Sequence, residues 1–142
     1  MAGGQCFVMT LSNNDVSGQR GEGYMLIPIA ARTKRTGFWG WSGQYEQNGA
    51  HVERKVTVID GGVQRQQRIY YQDTKREFRL GTELYFSGAS ADAILLVERD
   101  PAPGVDFAYS LLEPSDPRYQ DIKSKAKDWA TAGNKRFGYF QA

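Results

Sequence analysis

The sequence predicts a mainly β fold, a closed or nearly closed barrel of about seven short strands with one C-terminal helix. Three observations lead there. Apolar residues recur at a period of two along most of the chain. Short turn signals, such as Asp60-Gly61-Gly62 and Asp100-Pro101-Ala102-Pro103-Gly104, separate these runs. Only one convincing stretch shows helical spacing. At 142 residues the chain has the length of one domain.

The elements follow in order. Residues 6–11 form a short apolar strand, and 24–29 a second, stopped near Pro28. A short helical turn follows Ile29. Residues 51–59 alternate cleanly: Val52, Val56 and Val58 face one way, Glu53, Lys55 and Thr57 the other. Asp60-Gly61-Gly62 tolerates positive φ and makes a hairpin turn, with 63–71 as the return strand. Residues 77–80 and 83–86 are short strands punctuated by Gly81. Residues 93–99 form a buried strand, and 107–112 another. The helix covers 116–130. Ser115 or Asp116 caps it, Pro117 suits its first turn, and Tyr119, Ile122, Ala126 and Trp129 share one face.

Composition narrows the function. Hydrophobic residues at 40% and charged residues at 24% are ordinary for a globular chain. The longest uncharged apolar run, from Ala93 to Val97, is far short of the ~20 residues that span a bilayer. The first residues lack a secretory pattern. A cytoplasmic location and no membrane partner are expected. One Cys excludes an internal disulfide framework and any Cys-rich zinc site, and one His argues against most His-based metal sites.

Net charge is +2, but it is polarised. Residues 1–80 carry 11 Lys/Arg against 7 Asp/Glu, whereas 81–142 carry 7 against 9. The excess concentrates at Arg32, Lys34 and Arg35, and at Arg65, Arg68, Lys75, Arg76 and Arg79. Local positive charge is what phosphate neutralisation needs, and it also suits a solvated surface. Arg65 and Arg68, in a regular strand, fit either reading.

Two long polar segments, 12–22 and 72–79, are flanked by strands. They are rich in Asn, Gln, Arg, Lys and Ser, side chains that read base edges and hold phosphates. Catalytic signals are weak by comparison. His51 sits inside a strand pattern, and Cys6 reads as core. Glu53-Arg54-Lys55 matches the end of a metal-dependent nuclease site, whose upstream acid would have to be Asp15. A small nuclease using Glu53 and Lys55 is therefore an alternative reading. Phe38-Trp39-Gly40-Trp41 fits barrel core or lid better than a platform for stacking single-stranded bases, so a single-strand or protein-binding barrel is a further alternative.

Leu11-Ser12-Asn13-Asn14-Asp15, then Gly18 and Gly21, then Tyr24-Met25-Leu26-Ile27-Pro28, resembles the start of the N-terminal effector domain of EcoRII-type (type IIE) restriction endonucleases. Ile69-Tyr70-Tyr71, then Lys75-Arg76 with Arg79 and Gly81, resembles its second arm. Gly88-Ala89 to Leu95-Leu96 fits the strand that follows. The match covers roughly residues 10–98 in order. Residues 30–62 do not align, and the second arm is shorter here.

The resemblance implies a DNA-binding pseudobarrel similar to the plant B3 domain, whose two arms grip the major groove. Its function would be sequence-specific binding of double-stranded DNA by a type II restriction endonuclease, with a target of the CCWGG kind. It places Asn13, Asn14, Asp15, Gln19, Arg20 and Glu22 in the first arm as base contacts. Asp73, Thr74, Lys75, Arg76, Glu77 and Arg79 form the second. Arg32, Lys34 and Arg35 would hold phosphates. No catalytic residue, metal or cofactor is expected for DNA binding. Magnesium would belong to a nuclease domain of the same parent chain, with 131–142 as the linker toward it. In isolation the domain would be a monomer.

Overall fold

The computed structural model describes residues 4–17, 23–35, 37–39, 52–72, 77–84, 86 and 88–141, without the side chains of Asn14, Val52 and Gln72. Its elements are β1 (Gln5–Thr10), α1 (Asn13–Ser17), β2 (Tyr24–Ile27), α2 (Ile29–Lys34), β3 (Val52–Asp60), β4 (Val63–Gln72), β5 (Glu77–Gly81), β6 (Ile94–Ala102), β7 (Val105–Leu112), α3 (Tyr119–Lys125), β8 (Ala130–Ala132) and β9 (Lys135–Gln141).

Alternation builds one sheet in the order β2-β5-β4-β3-β7-β6-β1-β9-β8. Neighbours are antiparallel except β3 and β7, which run parallel with Val58 opposite Phe107. The β3–β4 hairpin turns at Gly61 and Gly62, with φ of +62° and +91°. Two successive positive φ values are what a I′ turn requires and what glycine supplies without strain.

One face of the strands fills the interior. Phe7 and Met9 from β1, Ile69 and Tyr71 from β4, Phe78 and Leu80 from β5, and Leu95 and Val97 from β6 share one core. The opposite face of β1 and β6 is buried too. There Cys6, Val8, Ile94 and Leu96 pack under Tyr119 and Ala126. That second layer explains the continuous apolar run 93–97, since a strand covered on both faces loses its alternation.

Phe38 and Trp39 plug the interior. Trp39 is fully buried, with its ring 5.2 Å from Phe7 and 5.6 Å from Phe78. Arg54 and Arg99 hold this segment by donating to the carbonyls of Trp39 and Gly37, at 3.3 and 2.7 Å. Trp39 thus has the core role expected of it rather than that of a stacking platform. Gly40, Trp41 and His51 lie outside the described residues.

Four expectations are corrected. The helix is Tyr119–Lys125, shorter than 116–130. Asp116 does act at its start, accepting from the Arg118 amide at 2.8 Å. The chain turns extended at Ala126, yet Ala126 and Trp129 still reach the second core. Residues 131–142 are not a linker: β9 lies between β1 and β8 and buries Phe137 and Tyr139. Residues 83, 84 and 86 form no strand, because Asp60 ties this stretch by its side chain. Its carboxylate accepts from Thr82 Oγ1 at 2.6 Å and from the Glu83 amide at 2.7 Å. The polar segment 12–22 begins with a short helix, α1.

The sheet's end strands, β2 and β8, share no ladder. A side chain of β9, the partner of β8, reaches β2 instead. Lys135, at the start of β9, donates to the Leu26 carbonyl in β2 at 2.8 Å. The barrel is nearly closed, with a polar seam where backbone pairing stops.

Candidate nucleic-acid interface

The first polar segment begins with α1. Ser12 and Asp15 cap this helix reciprocally. The Asp15 amide donates to Ser12 Oγ at 3.3 Å, and the Ser12 amide donates to Asp15 Oδ2 at 2.8 Å. Asp15 Oδ2 also lies 3.2 Å from Lys135 Nζ, with both side chains buried. The Val16 carbonyl accepts from the Gly88 amide at 2.8 Å. The arm returns through Gly23 into β2, where Tyr24 pairs with Gly81.

The second polar segment falls between β4 and β5. Gln72 and Glu77 form the last cross-strand pair beneath it. Arg79 stands at its foot with a side chain only 12% exposed. Its Nε and Nη2 donate to Glu77 Oε1 at 3.0 and 2.6 Å. Its guanidinium lies over Tyr24 at 4.3 Å and nearer Tyr24 than Tyr70, which is 5.9 Å away. Burial opposes the Arg79 charge, but hydrogen bonds with Glu77 and Tyr70 favour it and leave its pKa raised. Arg79 is therefore a fixed cation shared by β2, β4 and β5.

The two polar segments adjoin opposite ends of the β2–β5 pair. Tyr24 faces Gly81 at one end, and Ile27 faces Phe78, next to Glu77, at the other.

The remaining predicted residues divide. Asn13 is exposed on α1. Asp15 faces inward, so its carboxylate serves the arm's root and is not presented to a base. Arg32 is 4% exposed and likewise does not offer its charge at the surface. Lys34 is exposed and paired with Asp128 at 3.2 Å, and Lys34 holds the Asp128 carboxyl below its usual range. Arg35 lies over the Tyr139 ring at 5.5 Å. Glu77 serves Arg79. Gln19, Arg20, Glu22, Asp73, Thr74, Lys75 and Arg76 lie outside the described residues, as does the Asn14 side chain.

Exposed cations continue along the β3–β4 hairpin at Lys55, Arg65 and Arg68. Arg68 donates to Glu53 at 2.9 Å and lies over Tyr70 at 4.2 Å. Glu53 is thus engaged by Arg68, while Asp15 is engaged by Lys135. The acids that a Glu53/Lys55 nuclease would need are held in two separate ion pairs, one on the hairpin and one at the seam. Sequence reading missed Tyr24, Tyr70 and Lys135. The two tyrosines carried only a strand signal, and Lys135 sat in the segment read as linker.

No family model matches the chain, and no curated protein matches it. Among solved structures it is similar to the B3 domain of the UbaLAI restriction endonuclease, crystallised with cognate DNA. The match covers 99% of this chain and 88% of that one, with a TM-score of 0.60 at 14% identity. The fold is therefore the mainly β, B3-like pseudobarrel that the resemblance implied.

Proposed function

We propose that this chain binds double-stranded DNA sequence-specifically, as the effector or recognition domain of a type II restriction endonuclease. The observation that carries the reading is the likeness of the fold, over 99% of the chain, to a B3 domain crystallised with cognate DNA. The two polar segments that adjoin opposite ends of the β2–β5 pair are the arms that would reach the bases. Asn13, Asn14, Gln19, Arg20 and Glu22 on one arm, and Asp73, Thr74, Lys75 and Arg76 on the other, supply base contacts. Arg suits guanine O6 and N7, and acids accept from cytosine N4, which suits a G·C-rich site; the resemblance to EcoRII-type effector domains suggests one of the CCWGG kind. Lys34 and Arg35 supply phosphate contacts. The partner in the parent protein is a nuclease domain that carries the magnesium-dependent chemistry.

The test is a gel-shift titration without magnesium. A selected duplex should bind ~10³-fold or more tightly than a scrambled one. Equal affinity for the two duplexes would overturn the proposal.

A further inference from the structure

Lys135 is the one place where the barrel's seam and the first arm meet through a charge among the described residues. Its ammonium lies 3.2 Å from Asp15 Oδ2, donates to the Leu26 carbonyl at 2.8 Å, and touches Met25 Sδ at 3.5 Å. Asp15 lies at the root of the arm, in α1, and Leu26 follows the arm in β2. One buried ammonium therefore holds both legs of the arm and fastens them to the start of β9.

Stability does not account for this pair. The two side chains are 7% and 0% exposed. Removing two charges from water costs several kcal/mol per ion, and an apolar pair of similar volume usually serves a core as well or better. What an apolar pair lacks is direction. The carboxylate of Asp15 is already fixed by the Ser12 amide at 2.8 Å, and the ammonium must satisfy that carboxylate and the Leu26 carbonyl at once. Few placements of α1 against β2 meet both demands.

We propose that Lys135 is a positioning residue that sets the geometry of the first arm, and through it the base preference of the domain. This rests on the duplex-binding reading above for its functional half. Its structural half stands without DNA. Lys135→Met removes the charge and keeps the length of the stem. Asp15→Asn breaks only the carboxylate leg and leaves the bond to Leu26, so it serves if Lys135→Met does not fold.

Two measurements test the proposal. The first is amide hydrogen exchange of the free protein. Exchange at Asp15 and Val16 should rise about tenfold or more in either variant beyond any rise in β6 and β7; an equal rise throughout is a loss of global stability alone and overturns the proposal. The second is binding to a selected and a scrambled duplex. The ratio of the two affinities should fall about tenfold, a usual size for coupling between elements, while affinity for scrambled DNA holds. Lys135→Arg, which keeps a donor, should restore part of the ratio. Unchanged exchange in α1 overturns the proposal whatever DNA does. Faster exchange with an unchanged ratio overturns the link to base preference. Faster exchange in a protein whose parent never preferred a site would leave the positioning intact and bring down the duplex-binding reading instead.

Discussion

Trp39 Nε1 donates a hydrogen bond to Tyr139 Oη at 2.9 Å, and Tyr139 Oη donates in turn to the Ala31 carbonyl at 2.6 Å. This chain joins the plug, the last strand and α2 across the interior. Burial raises the Tyr139 pKa, so the phenol stays protonated and able to donate. Tyr139→Phe leaves a buried indole N–H and a buried carbonyl without this partner, and should cost ~1–3 kcal/mol in denaturant unfolding. A chain ending before Lys135 should lose cooperative unfolding altogether, because β1 would lose its β9 neighbour. Intact cooperative unfolding of that shortened chain would return 131–142 to the role of linker.

Arg76 and Arg79 offer a test that separates base reading from support. Arg79 is clamped between Glu77 and Tyr24, so Arg79→Ala should weaken binding to every duplex and lower thermal stability together. Arg76→Ala should leave stability unchanged and cost ~1–3 kcal/mol at one base pair of the site. Binding of both variants to a panel of single-base site changes decides. If Arg79→Ala alone relaxes one base pair, Arg79 is a base contact and its clamp with Glu77 opens on DNA.

Lys34 offers a test through its partner. If its ammonium holds a phosphate, Lys34→Ala should weaken all duplexes alike and reduce the magnitude of the salt slope by ~1. Asp128→Asn frees that ammonium from the pair at 3.2 Å and should strengthen binding on all sequences. Affinity that ignores both substitutions at every salt concentration removes Lys34 from the interface.

Cys6 gives a pH signature. Burial, with the Glu98 charge nearby, raises its thiol from 9.0 to about 11. The folded state therefore keeps a proton that the unfolded state releases above pH 9. The stability this contributes is complete below pH 9 and is lost as pH rises toward about 11. Denaturant midpoints should fall across that window, and less steeply in Cys6→Ala. Parallel slopes for the two proteins would contradict the assignment.

Much of the barrel was legible because alternation is a local signal. Residues 51–59 announced β3, and Asp60-Gly61-Gly62 announced its turn. The uninterrupted run 93–97 announced a strand covered on both faces. The C-terminal strands were obscured by competition between periods. Tyr119, Ile122, Ala126 and Trp129 do share a packed face, but the last two reach it from extended chain. Extending the helix hid Gly133-Asn134, a hairpin signal in which Gly133 takes φ +62°. The two polar segments stood out by composition, since polar side chains between strands mark a connection rather than a core element. The roles of Asp15 and Arg32 were not, because burial is set by partners distant in sequence. Asp15 meets Lys135, a residue of the last strand, only through the fold.

If two arms on this pseudobarrel read duplex sequence, the duplexes it retains should share a motif. Selection of bound duplexes from a random library, without magnesium, tests this most directly. One short G·C-rich motif should emerge, and duplexes carrying it should outcompete either of their single strands. A pool that stays random after repeated rounds, or one that enriches single strands, would contradict the account.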